Sequence, residues 1–337
     1  MNKSKRKYLS EFALNIHTGG WTLMPASDLA IDNPLMPDDS TQGLLDNSHI
    51  YLLSKLPRLS FSPNRFQYKN NVISGDFTFK VEGKEKLVPF EFSPNPSSDI
   101  TNIELSPYPH REILMKDSNG DAIRFIPASL LFFSFGFHTK FNEIKNLEVL
   151  YVGQAYADGK RSAVDRLKNH STLQKILANF QYSSPDYEIY ILMYEYMDPV
   201  LFTSMDGRSK AQITDYRDIN RFHSIVDNPP TKKQVISLME AGLIRYFQPK
   251  YNKIYKENFP STSHEILKGC YALDFSALVV EINSEDLGFS LYSDNIKPSS
   301  HHISKIELID PDKRWGFFHI SDGEDAVKSP DVITIKK

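Results

Sequence analysis

The chain has 337 residues, a formal net charge of −3 at pH 7 and 40% hydrophobic residues. This length and composition predict two or three globular domains and exclude global disorder. The slightly acidic balance argues against a protein that coats nucleic acid non-specifically, so any such binding must come from a local patch. The single cysteine, Cys270, excludes an intrachain disulfide framework and argues against a cysteine zinc site.

The N-terminus is basic as far as Lys7, but no apolar run of signal-peptide length follows it. The longest apolar stretch, residues 130–133, is far too short to span a bilayer. We therefore expect a cytoplasmic protein with no membrane partner.

Residues 1–125 predict a β-rich N-terminal domain. Two short runs of β-forming residues, 77–81 and 87–92, flank Glu82-Gly83-Lys84, a sequence typical of a hairpin turn. Proline-containing clusters further along indicate loops. No motif that carries chemistry is evident in this region.

Residues 126–258 predict an α+β domain with a small sheet. Strands are expected at residues 129–137, 147–153 and 187–194, and a helix from its periodicity at residues 161–180. Thr231 with Gln234 three residues later resembles a capping box, so a second helix is expected from there to about Phe247, before Pro249. The order strand, strand, helix, strand, helix is typical of an α+β unit. Residues 259–337, with runs at 278–282 and 315–320, predict a β-rich C-terminal region.

Two polar features of the central region point to chemistry. Arg166 and His170 are four residues apart, so on one helix they share a face. Glu240 lies on the apolar stripe of its helix, between Ile236 and Ile244. A buried carboxylate is costly unless it is paired or holds a metal. A structural arginine, a backbone cap or Mg²⁺ would each satisfy Glu240.

Four points of the sequence, in this order, resemble the GIY-YIG nuclease superfamily. They are the strand end Tyr151-Val152-Gly153, the pair Arg166 and His170, the helical Glu240, and Asn252 after a proline. The family has, in the same order, the second half of its signature, an arginine with a histidine four residues on, a metal-binding glutamate and a closing asparagine. The resemblance covers residues 126–258 and implies a GIY-YIG-like sheet with flanking helices.

The resemblance implies a catalytic set of Tyr151, Arg166, His170, Glu240 and Asn252, with Mg²⁺ or Mn²⁺ at Glu240. Tyr151 would position or deprotonate the attacking water, and Arg166 would donate to phosphate oxygens. His170 would orient Tyr151 or relay the proton. Asn252 would hold the local geometry.

The pattern departs from the family at the first tyrosine of the signature, which is expected on the strand before Tyr151. We expect Phe137 or a close neighbour to lie beside Tyr151 on the adjacent strand, and Phe137 lacks the hydroxyl. The loop before Arg166 is also slightly long, which makes Arg161 an alternative for the arginine role.

The expected function is a metal-dependent endonuclease, with double-stranded DNA as the expected substrate. Candidates for contacts with nucleic acid are Lys160, Arg161, Lys168 and Lys250. Lysines also solubilise helices without binding anything. Two alternatives stay open: a catalytically impaired GIY-YIG-like nucleic-acid-binding module, suggested by the missing tyrosine, and a partner-binding protein.

Overall fold

The structure, a computed structural model, describes residues 6–30, 43, 47–94, 99–155, 163–205, 210–321, 326–328 and 334–335. The described strands are β1 (Arg6–Tyr8), β2 (Ser10–Pro25), β3 (Ser48–Pro57), β4 (Ser60–Phe61), β5 (Gln67–Lys69), β6 (Val72–Val81), β7 (Lys84–Phe92), β8 (Asn102–Leu105), β9 (Glu112–Lys116), β10 (Ala122–Pro127), β11 (Asn146–Gln154), β12 (Tyr187–Tyr196), β13 (Val200–Met205), β14 (Ala211–Ile213), β15 (Ala277–Asn283), β16 (Ser290–Ser293), β17 (Ile296–Ser299), β18 (His301–Glu307), β19 (His319–Ser321), β20 (Ala326–Lys328) and β21 (Thr334–Ile335).

The described α-helices are α1 (Ala128–Ser134), α2 (Asn142–Lys145), α3 (Ala163–Lys168), α4 (Ser171–Ser183), α5 (Tyr216–Asp227), α6 (Lys232–Phe247) and α7 (Lys268–Ala272). Short 3₁₀ helices cover Ala26–Ala30, Phe137–Lys140 and Glu265–Leu267. The expected mixed α+β class is confirmed.

The largest sheet has the strand order β17-β16-β11-β3-β12-β2-β15-β18-β21, and β13 also pairs with β2. Strand β3 lies in its interior and pairs antiparallel with both β11 and β12. The long strand β2 continues the sheet by pairing antiparallel with β12 and parallel with β15. This sheet combines strands from all three regions that the sequence separates at residues 125 and 258, so the central region does not build its sheet alone.

The chain between β3 and β11 forms a separate layer. Strands β4 to β7 form one small sheet and β8 to β10 another. The turn between β6 and β7 has positive φ at Glu82 (50°) and Gly83 (75°), as a two-residue hairpin turn requires. The expected hairpin is therefore confirmed. Phe77 anchors this layer, with its ring 5.1 Å from that of Phe132 in α1 and 4.5 Å from that of Phe90 in β7.

The strand expected at residues 129–137 is wrong. Those residues form α1 and then a turn in which Gly136 has a φ of 66°. Leu131 and Phe132 are buried while Leu130 is exposed, as expected for a short helix that buries only one face. A short apolar run cannot be assigned to helix or strand by periodicity, because both can bury it.

Several other expectations are confirmed. Strands form at residues 147–153, 187–194 and 278–282 within β11, β12 and β15. Helix α6 begins with the expected capping box of Thr231 and Gln234. The expected run at 315–320 contributes only the start of β19 as a strand.

A buried ion pair joins the two ends of the described chain. Glu11 of β2 is fully buried, and Arg314 Nη2 donates to both of its carboxylate oxygens at 3.2 and 3.0 Å. Arg314 Nη1 also donates to Asp274 Oδ1 at 2.7 Å. Removing one partner of such a pair leaves a charge in the interior without compensation.

We predict that Arg314→Met lowers the free energy of unfolding by about 3–5 kcal/mol, because it leaves the buried carboxylate of Glu11 without its ion-pair partner. Urea denaturation measures the change. The neighbouring Lys313, whose side chain is 83% exposed, supplies the control Lys313→Met, expected within about 0.5 kcal/mol of the wild type. Equal stability of the two variants would contradict the prediction.

Candidate active site

Two tyrosines from adjacent strands lie side by side. Tyr51 of β3 is the register partner of Gly153 in β11, and Tyr151 pairs with Leu53. The rings of Tyr51 and Tyr151 have centroids 6.2 Å apart. A Cβ atom at Gly153 would lie 2.5 Å from the Tyr51 ring and 2.8 Å from that of Tyr151. The glycine is therefore required by the close approach of both phenols to the strand.

The expectation that Phe137 or a close neighbour stands beside Tyr151 on the adjacent strand is wrong. Phe137 lies in a 3₁₀ helix and packs against Phe77 and Phe132, away from β11. The strand beside Tyr151 is β3, which comes 100 positions earlier at Tyr51. The sequence does contain a suitable tyrosine, in the run His49-Ile50-Tyr51. The expectation that the two paired strands are close together in sequence led away from it.

His170 contacts both phenols but not from the helix that the sequence predicts. Helix α3 ends at Lys168, and His170 is the N-cap of α4, so the expected single helix over 161–180 is wrong. Its Nδ1 accepts the backbone N–H of Leu173 at 3.2 Å. The neutral ring therefore carries its proton on Nε2, which lies 3.4 Å from the hydroxyl of Tyr51 and 3.5 Å from that of Tyr151.

Arg166, from α3, is the cation of the site. Burial raises the pKa of Tyr51 and that of Tyr151, and the positive charge of Arg166 opposes both rises. Burial lowers the pKa of His170, and Arg166 lowers it further. The guanidinium therefore lies close to these side chains while remaining exposed enough to meet a ligand.

Glu240 reaches the same place from α6. The flanking residues Met239 and Ala241 are buried, and Glu240 itself is only partly accessible. Burial raises its pKa to about 7, against the lowering effects of Arg166 and of hydrogen bonds from Gln154. The side-chain Nε2 of Gln154 donates to Glu240 Oε2 at 2.8 Å. The charge of Glu240 also raises the pKa of Tyr151, so the carboxylate lies near this phenol.

Asn252 completes the edge of β11. Strand β16 pairs with β11 only at residues 146–148, so the edge of β11 beyond them needs another partner. Asn252 Oδ1 accepts the N–H of Val152 at 2.9 Å and its Nδ2 donates to the carbonyl of Val152 at 2.8 Å. The backbone N–H of Tyr251 donates to Leu150 O at 3.0 Å. The buried amide thus takes the place of a strand, which fits the expected role in local geometry.

Tyr255 is a further tyrosine that sequence reasoning missed. It follows Asn252 in the same loop and has a φ of 68°, a backbone conformation that is costly for a residue other than glycine. Burial raises the pKa of Tyr255, and the nearby charge of Glu240 raises it further. Its ring packs against Phe259 and His264. No sequence motif signals it; only the folded loop brings it there.

The expected nucleic-acid contacts are described only in part. Lys168 and Lys250 are exposed, and Lys250 lies over the ring of Tyr251. Lys160 and Arg161 lie outside the described residues, so the choice between Arg161 and Arg166 rests on the position of Arg166 alone.

A divalent cation fits Glu240 by donor chemistry. Within the described ranges, no group of three or more His, Cys, Asp or Glu side chains converges on one point. Mg²⁺ is nevertheless commonly bound by one or two carboxylates together with water and substrate phosphates. A carboxylate has about four lone-pair sites, so the hydrogen bonds from Gln154 leave room for a cation.

No family model matches the chain, and no curated protein or solved structure does so either. None of the described helices is long and apolar enough to cross a membrane. The cytoplasmic location stays a prediction, and the case for a function rests on the geometry above.

We predict that Gly153→Ala lowers the free energy of unfolding by about 1–3 kcal/mol, because the added methyl group displaces the rings of Tyr51 and Tyr151. Gly269→Ala is the control, since its Cβ would meet its nearest neighbour at an ordinary 3.4 Å. Urea denaturation of both variants measures the difference. A Gly153→Ala protein as stable as Gly269→Ala would show that the rings move freely.

We predict that the imidazole of His170 titrates below its ordinary pKa of about 6.5, and that Arg166→Met raises the midpoint. The folded-state pKa is the lower one, so the stability from His170 is complete above pH about 6.5 and is lost as the pH falls below it. Imidazole NMR signals followed against pH measure the midpoint. Lys168→Met is the control; an equal shift in that variant would show a general charge effect.

Proposed function

We propose that the chain is a metal-dependent endonuclease of the GIY-YIG type that hydrolyses phosphodiester bonds in nucleic acid, with double-stranded DNA as its substrate. The observation that carries the proposal is the convergence of two strand-borne tyrosines, an N-cap histidine, an arginine and a helix-borne glutamate. Five side chains of these types come from separate parts of the chain to one place. Phosphodiester hydrolysis needs this combination of water positioning and charge relief.

The position of Tyr51 supports the family resemblance at the point where the sequence departs from it. The triplet His49-Ile50-Tyr51 lies on the strand beside Tyr151-Val152-Gly153, where the signature has its first half. The proposed site therefore has both tyrosines, separated along the chain by the layer inserted between β3 and β11. Tyr51 would supply the hydroxyl whose absence suggested the impaired module.

The proposed roles follow from the protonation states. Burial holds the hydroxyls of Tyr51 and Tyr151 protonated in the free protein. His170 donates through Nε2, so it orients a phenol oxygen and stabilises negative charge on it; it does not remove the phenol proton. Of the two roles expected for His170, orientation therefore fits its tautomer better than proton relay.

Arg166 would donate to the non-bridging oxygens of the scissile phosphate, for which its planar fork of donors is suited. A tyrosine oxygen would accept a hydrogen bond from the attacking water and fix its approach. Mg²⁺ or Mn²⁺, when bound at Glu240, supplies charge that offsets the negative charge on the phosphate and the leaving oxygen. Asn252 would keep Val152, and with it Tyr151 and Gly153, in place.

The proposed contacts with the substrate backbone use lysines next to these residues. Lys168 follows Arg166 at the end of α3, and Lys250 precedes Tyr251 in the loop that carries Asn252. Contacts of this kind bind phosphates without reading sequence. Lys160 and Arg161 stay predicted contacts.

We predict that the purified chain nicks or linearises supercoiled plasmid DNA with Mg²⁺ or Mn²⁺, and that Glu240→Ala removes the activity. Tyr51→Phe and Tyr151→Phe should each lower the single-turnover rate by about 10²-fold, because the attacking water loses a hydroxyl that fixes its position. Plasmid forms separated on agarose measure the rates, and a matched RNA duplex tests the choice of DNA.

The exposed Glu257 supplies the matched control, since Glu257→Ala changes charge equally and is expected to leave the rate unchanged. Cleavage that persists in Glu240→Ala would show a contaminating nuclease or a different site. No cleavage by the wild type, with salt-dependent DNA binding retained, would favour the binding module over the enzyme.

A further inference from the structure

A carboxamide joins the end of β11 to the helix that carries Glu240. Gln154 directly follows Gly153, and its backbone pairs with Ile50 of β3. Its Nε2 donates to Glu240 Oε2 at 2.8 Å, and its Oε1 accepts from Ser237 Oγ at 3.3 Å. Ser237 and Glu240 are three residues apart on α6 and so lie on one face of the helix. The three side chains form a chain of hydrogen bonds, from serine through glutamine to glutamate.

The polarity of the carboxamide gives this chain a direction. The hydroxyl of Ser237 donates to the amide oxygen of Gln154. Because the amide oxygen points to Ser237, the amide nitrogen points to Glu240. The opposite orientation would place the amide oxygen against a carboxylate, and neither atom could donate. Ser237 therefore fixes how Gln154 points, and Gln154 fixes where the carboxylate of Glu240 lies.

We infer that Gln154 is a positioning residue that holds Glu240 in the orientation in which it binds a divalent cation, with Ser237 acting through Gln154. This inference rests on the proposed function, because it takes Glu240 as the cation ligand. Polar groups that hold a metal ligand from behind commonly change metal affinity by 10–100-fold when they are removed. A glutamate on a flexible side chain depends on such a partner for its geometry.

The side chain of Gln154 has no role in the sheet that would explain its position. The strand is held by the backbone pairing with β3 and by the amide of Asn252. Burial raises the pKa of Glu240, and hydrogen bonds from both the side chain and the backbone of Gln154 lower it. The side chain thus acts on the carboxylate, while the backbone both pairs in the strand and donates to the carboxylate.

The test measures Mn²⁺ binding to the full chain by electron paramagnetic resonance, without nucleic acid. Gln154→Met keeps the length of the side chain and removes both polar atoms, and it should weaken binding by about 10–100-fold. Ser237→Ala should weaken binding less, and Ser237→Thr, which keeps the hydroxyl, should restore it. The double variant should bind as Gln154→Met alone does, because Ser237 acts through Gln154.

Matched controls are Gln181→Met and Ser224→Ala, which change exposed helical residues of the same types and should bind Mn²⁺ as the wild type does. In cleavage, Gln154→Met should raise the metal concentration that gives half the maximal rate and leave the rate at saturating metal close to the wild type. A purely structural role would instead lower the saturated rate and the thermal midpoint.

The outcomes separate the two proposals. Mn²⁺ binding that is lost in Glu240→Gln but unchanged in Gln154→Met would overturn the role of Gln154 and leave the proposed function standing. Binding that is unchanged in Glu240→Gln would overturn the cation site itself and the proposed function with it. Additive losses in the Gln154→Met, Ser237→Ala double variant would overturn the direction of the hydrogen-bond chain.

Discussion

The antiparallel pairing of β3 with β11 is the interaction on which the candidate site depends. Its register places Tyr51 opposite Gly153, and the absence of a side chain there lets two phenols approach the same stretch of backbone. A shift of one residue would turn Tyr51 to the other face of the sheet. Strand β3 pairs with β11 on one side and with β12 on the other, along most of its length. Its register is therefore held from both sides.

The elements around this pair each hold one functional group. Helix α6 packs an apolar face into the core and carries Glu240 toward the tyrosines. The loop after it bends back so that Asn252 completes the edge of β11. The break between α3 and α4 frees His170 to cap a helix and to donate to the phenols. Rigid neighbours thus place side chains that come from distant parts of the sequence.

Burial opposes charge on four of the side chains of the site. It raises the pKa of both tyrosines and of Glu240 and lowers that of His170, so it opposes the charged form of each group. The charge of Arg166 opposes the rise for these acids, and hydrogen bonds from Gln154 also lower the pKa of Glu240. A site of this kind favours charged ligands. A phosphate carries negative charge, and the divalent cation that binds with it carries positive charge.

Local pattern in the sequence determined several parts of this protein. The strand that ends at Gly153, the capped helix α6 and the positions of Glu240 and Asn252 follow from periodicity, capping residues and a proline stop. Tertiary structure decided which phenol lies beside Tyr151: that of Tyr51, 100 positions earlier on the paired strand. It also decided the helix break at His170 and the assembly of one sheet from all three regions. Strand pairing is a non-local choice made by packing, so no short window of sequence contains it.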